Sequence, residues 1–223
     1  MKNRSILLAI ALAFFVALAS AHAVPVPITY SPSPSDLGDL DHHLVYTWRI
    51  DNINVNPATI KGASLTFTSI RNWDQNPNVL HLHLLDTAKG SGVRAFVDDP
   101  AGHVPVVDYT DDFISTRYHS QSNWLVAAGT ADTFLDNHSF TLTPVTWTYT
   151  LSAAEVAALR SYVSNGKNIA LGFDPDCHFF NNGVQLSLTT TVPETGSTFM
   201  MLGAAVAVIF LARPRPLVSH ARR

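Results

Sequence analysis

The sequence predicts an all-β domain: an antiparallel β-sandwich, jelly-roll-like, with one short α-helix, set between two targeting segments. Three observations carry this. Short runs alternate apolar and polar residues with the period of two that half-buried strands show. Loops rich in Asn, Asp, Pro and Gly separate those runs. One stretch, and only one, carries a full set of helix signals.

The chain begins with Lys2 and Arg4, an apolar run from Ile6 to Ala19, and then Ala21-His22-Ala23-Val24-Pro25. A basic start, a short greasy segment and small residues ahead of a cleavage point make residues 1–23 a secretory signal peptide. The domain that follows, residues 24–191, is long enough for one self-sufficient core.

Val26 to Asp41, with Pro27, Pro32 and Pro34, reads as an extended lead-in. Leu44–Ile50 reads as a strand with Leu44, Tyr46, Trp48 and Ile50 on one face. Asp51 to Lys61 is loop, and Ala63–Ile70 is a strand with Leu65 and Phe67 together. Arg71 to Asn78 is a turn cluster. Val79–Leu85 turns Leu80, Leu82 and Leu84 inward and leaves His81 and His83 on the other face.

Val93–Val97 is a short strand. Asp98 to Gln121 is a long connection with a short element near Asp111 to Tyr118, and Trp124 to Ala128 reads as a small strand. Ser139 to Leu151 alternates through Phe140, Leu142, Trp147, Tyr149 and Leu151, broken at Pro144. Ser152-Ala153-Ala154-Glu155 is a capping box that opens a helix with Val156, Leu159 and Val163 on one face, and Gly166 is expected to stop it. Asn168–Phe173 and Val184–Thr191 are the closing strands.

The C-terminal stretch has three parts in fixed order. Val192-Pro193-Glu194-Thr195-Gly196-Ser197-Thr198 is a short polar motif. Residues 199–212 are apolar. Residues 213–223 carry Arg213, Arg215, Arg222 and Arg223. Such a run lodges in a bilayer and the arginines hold its end on the cytoplasmic side. It is short against the ~20 residues a spanning helix needs.

This arrangement, 192–223, resembles the PEP-CTERM sorting signal of Gram-negative bacteria. The matching residues are Val192, Pro193, Glu194, Gly196, Ser197 and Thr198. Thr195 stands where that family usually has a second proline, and Val192-Pro193-Glu194-Thr195-Gly196 also looks like the sortase signal LPXTG with Val in place of Leu. Within the domain, Tyr46-Thr47-Trp48-Arg49-Ile50-Asp51, Ala63-Ser64-Leu65-Thr66-Phe67 with Trp73-Asp74, Leu82-His83-Leu84-Leu85-Asp86 and Gly172 to Phe179 resemble an uncharacterised group of PEP-CTERM sandwich proteins. The resemblance implies signal peptidase and an exosortase-type transpeptidase as processing partners. It also implies a membrane-anchored precursor, and a final place in the cell envelope, at the outer surface or in the extracellular matrix.

Net charge is −3 and charged residues make up 14%, which gives no basic footprint for nucleic acid. The single cysteine, Cys177, excludes an internal disulfide. Asp174 and Asp176 flank Pro175, a pairing that first suits a capped turn and, as the alternative, a calcium ion. His81 and His83 suit zinc if Asp86, His178, or His42 and His43 supply a third ligand; otherwise they are the polar face of a strand.

Trp73 and Trp124 lie in loop-like contexts and are the candidates for stacking on a polysaccharide; Trp48 and Trp147 are expected in the core. No G-x-S-x-G, H-E-x-x-H or phosphate-binding glycine loop occurs. The expectation is a non-catalytic binding or structural module. The alternative is a surface carbohydrate-active enzyme or zinc hydrolase.

Overall fold

The computed structural model describes residues 24–97, 111, 113, 126, 127 and 129–192. Val26–Thr190 forms one compact unit. The signal peptide, Pro193 to Gly196, the apolar run 199–212, Trp124 and most of the 98–125 connection lie outside the described residues. Among the described residues, no helix is long and apolar enough to cross a membrane.

The described residues form an all-β sandwich of two five-stranded antiparallel sheets with one α-helix. Its strands are β1 (Val24–Tyr30), β2 (Leu44–Ile50), β3 (Ile60–Asn72), β4 (Val79–Leu85), β5 (Gly92–Val97), β6 (Asp132–Ser139), β7 (Val145–Thr150), β8 (Ile169–Pro175), β9 (Phe179–Phe180) and β10 (Gly183–Val192). Helix α1 (Ala153–Gly166) lies between β7 and β8. One sheet runs β1-β10-β3-β7 with β9 beside β3; the other runs β5-β2-β8-β4-β6. Most strands next to each other in sequence lie in opposite sheets, and among the described strands no hydrogen-bonded pair is consecutive along the chain.

Period-two alternation builds the core. Tyr46, Trp48 and Ile50 from β2, Leu80, Leu82 and Leu84 from β4, and Leu171 and Phe173 from β8 meet Leu65, Phe67 and Ile70 from β3 and Leu186 and Leu188 from β10. Phe67 and Phe173 cross the interface edge to face, with ring centroids 6.0 Å apart. Trp48 is buried as expected, and Trp147 packs half-buried against the same core.

Helix α1 has the expected capping box: Ser152 Oγ accepts from the Glu155 N–H, and Glu155 accepts from the Ser152 N–H. Val156, Leu159, Tyr162 and Val163 are its buried residues. Arg160 ties the helix to the sheet through the Ile60 carbonyl.

Two expectations need correction, and two stretches take a form the sequence left open. The left-handed residue that ends α1 is Lys167 (φ 55), not Gly166, which stays helical; the Lys167 N–H closes on the Val163 carbonyl. Val126 and Ala127 form a bend and irregular chain rather than a strand. Residues 132–138 form most of β6, although their Asp, Asn and His content masks the alternation. The lead-in begins as strand β1, whose prolines Pro25 and Pro27 lie in an edge strand where a missing N–H is tolerated.

Candidate functional site

The outer face of the β5-β2-β8-β4-β6 sheet is covered. Val45, Leu85 and Ala170 from the sheet pack with Ala88, and with Phe113 and Val126 from the β5–β6 connection, as a second small apolar cluster. The Phe113 ring lies on Gly172: a Cβ built there would sit 2.6 Å from its Cζ. His81 and His83 share this face. They are 7% and 0% exposed, so the polar face of β4 is an interior rather than a solvated surface.

Every ring nitrogen of this pair has an oxygen partner. His83 Nδ1 lies 2.8 Å from Asp132 Oδ1, and His83 Nε2 lies 2.9 Å from Asp111 Oδ2. An ionised carboxylate only accepts, so both His83 nitrogens donate and the ring is an imidazolium. Burial pulls His83 down, but hydrogen bonds and charge from Asp111 and Asp132 outweigh it and carry the pKa up to about 9. His81 Nε2 meets Asp176 Oδ1 at 3.1 Å and its Nδ1 meets Asn137 Oδ1 at 2.7 Å. Burial lowers this ring too, and the bonds to Asp176 and Asn137 reverse the shift, so the net direction is upward.

A doubly donating imidazolium has no lone pair for a metal. Asp86, the nearest expected third ligand in sequence, bonds Asn165 Nδ2 at 2.8 Å instead. Asp174 and Asp176 are both buried, and Asp176 Oδ1 lies 3.1 Å from His81 Nε2.

A second polar assembly lies at one end of the sandwich. Leu40 and Phe179 form an isolated antiparallel bridge, exchanging hydrogen bonds of 3.2 and 2.9 Å. Antiparallel pairing places the residue after Leu40 opposite the residue before Phe179. Asp41 and His178 therefore meet: Asp41 Oδ2 lies 3.3 Å from His178 Nε2. His42 joins them, its Nδ1 3.6 Å from Asp41 Oδ1, with its ring edge-on to His178 at 5.1 Å. Burial, with His43 and His178 nearby, lowers the His42 pKa against the opposing pull of Asp41.

Tyr46 braces the segment. Its hydroxyl donates to the Asp39 carbonyl and accepts from the Asp41 N–H, and burial pushes its phenol up to about 12. The sequence suggested His42, His43 and His178 only as supplements to His81 and His83. The structure instead groups His42 and His178 with Asp41. Cys177, beside them, is half-buried, and burial raises its thiol pKa.

Trp73 stands at the same end, 58% exposed, with its ring 6.0 Å from that of His178. Its loop is rigid from within. Buried Asn72 accepts from the Trp73 N–H at 2.8 Å, and Asn78 Nδ2 bridges Asn72 Oδ1 at 3.0 Å and Asp74 Oδ1 at 2.8 Å. The Trp73 N–H also reaches the His178 carbonyl at 3.0 Å. From Asp74 onward the loop forms one wall of a cleft of about 480 Å³, opposite residues 139–143. Asp74, Asn76, Thr141 and Thr143 supply polar groups there, and Leu142, 44% exposed, supplies an apolar one.

In comparison with known proteins, no family model and no curated protein sequence matches this chain.

Proposed function

We propose that the protein is an exported cell-surface or matrix module that binds a polysaccharide without turning it over. Export rests on the signal-peptide pattern of residues 1–23. Retention and sorting rest on the Val192 to Gly196 motif, the apolar run 199–212 and the arginine tail. Signal peptidase and an exosortase-type transpeptidase are the processing partners on this reading. The alternation of successive strands between sheets supports treating the sandwich as a jelly roll, an architecture that often carries lectin sites.

The observation that carries the binding reading is Trp73. A large flat apolar ring, mostly exposed and fixed at its backbone, directly precedes Asp74 at the edge of a cleft whose lining combines Pro77, Phe140 and Leu142 with carboxylate, amide and hydroxyl groups. Sugar rings have one apolar face and a polar rim, and this pairing complements both.

Affinity electrophoresis through gels containing neutral or acidic polysaccharides tests the reading. Retardation is expected with at least one class. Trp73→Ala should weaken it by roughly thirtyfold, the loss typical of a hot-spot tryptophan. Migration unchanged in every gel, or equal retardation of Trp73→Ala and the parent, contradicts it.

A further inference from the structure

We propose that Asp41, His42 and His178 form a binding site for a divalent transition-metal ion of the zinc class. The three candidate ligand atoms lie within 4.8 Å of one another, contributed by half-buried side chains. One separation, 3.3 Å between Asp41 Oδ2 and His178 Nε2, matches the spacing of tetrahedral zinc ligands, and His42 Nδ1 lies 3.6 Å from the other carboxylate oxygen, Asp41 Oδ1. With bonds of about 2.0–2.1 Å, tetrahedral ligand atoms are about 3.3 Å apart. Two imidazoles and one carboxylate favour zinc, copper, nickel and cobalt over calcium or magnesium, which prefer all-oxygen shells.

One further observation points to a ligand. His42 Nδ1 is buried and has no hydrogen-bond partner, although Asp41 Oδ1 lies 3.6 Å away. A buried polar atom left unpaired calls for an explanation, and an absent ion is one of the few available.

The residues are also held as ligands need to be. The Leu40–Phe179 bridge fixes Asp41 against His178. The His43 N–H bonds Asp41 Oδ1 at 3.0 Å, which leaves Oδ2 turned to His178. The Phe180 ring stacks on His178 with centroids 6.2 Å apart, limiting its rotation. Three protein ligands leave a fourth position open to water or to an incoming group.

Titration of the chelator-stripped full chain with Zn2+, and with Co2+ followed by its visible absorption, decides the matter. One equivalent should bind, Co2+ should give the intense bands of a tetrahedral site, and Ca2+ in excess should not displace either ion. His178→Ala and Asp41→Asn should each weaken binding at least tenfold, while His138→Ala, on β6, leaves it unchanged.

Asp41→Asn keeps an oxygen for the His43 N–H, so it decides the case if His178→Ala fails to fold by circular dichroism. No binding, displacement by Ca2+, or full affinity in Asp41→Asn overturns the proposal. Trp73→Ala leaves all three ligands in place, so this result stands apart from the polysaccharide test.

Discussion

Replacing His83 with glutamine is expected to lower the unfolding free energy by roughly 3–5 kcal/mol, the range for breaking a buried ion pair from one side. The side chain is fully buried and bonds two carboxylates, Asp111 and Asp132, which are themselves 9% and 23% exposed. Glutamine can donate to one of them but carries no charge, so two negative groups remain in a covered site without the positive charge they share. Against a typical total of about 5–15 kcal/mol, the loss should be plain in urea denaturation at pH 6.

The same residue gives the fold a pH dependence of defined sign. His83 holds its proton up to about pH 9 when folded, against 6.5 for the unfolded chain. Its contribution is therefore fully present below about pH 6.5 and is lost as the pH rises through about 9. The span corresponds to roughly 3 kcal/mol at 1.36 kcal/mol per pKa unit. The denaturation midpoint should fall across that window, and His83→Gln should flatten the fall.

Phe113→Ala is expected to cost about 3–5 kcal/mol, because a fully buried ring is removed from the small cluster that roofs the outer sheet face. Gly172 sharpens the prediction. A methyl group at Gly172 would meet three atoms of the Phe113 ring at 2.6–2.9 Å, so Gly172→Ala alone should cost about 1–3 kcal/mol by overpacking. Once Phe113→Ala has emptied the space, that clash is gone. Alanine is then favoured over glycine in a strand by roughly 0.5–1 kcal/mol. A double-mutant cycle by urea denaturation should therefore show Gly172→Ala changing sign in the Phe113→Ala background. Simple additivity would show that Phe113 does not cover Gly172.

What was legible in the sequence follows from how far each signal reaches. The β2 and β4 patterns gave those strands with their observed ends, because both carry strict alternation of large apolar residues. The capping box located the start of α1 to the residue. β6 escaped because Asp132, Asp136, Asn137 and His138 serve the buried network and the rim instead of an apolar face, while Phe134 is left 46% exposed.

Alternation also placed His81 and His83 on the correct side of β4. It is silent about what covers that side, and the cover comes from a connection some thirty residues further on. Trp73 was read correctly as a surface ring, since a turn cluster rarely buries a tryptophan. The Asp41, His42 and His178 group had no local signal at all, because one short bridge between distant segments assembles it. Its only trace in sequence was the presence of those residue types.

Export determines which ligands and metal ions the domain can ever meet, so it is the claim on which the functional account rests. Intact mass spectrometry of the protein recovered from fractionated cells of its native host tests it most directly. The account predicts that the mature protein lies outside the cytoplasm, in envelope or extracellular fractions, with Val24 as its first residue. Full-length protein in the cytosol, still beginning at Met1, would contradict it.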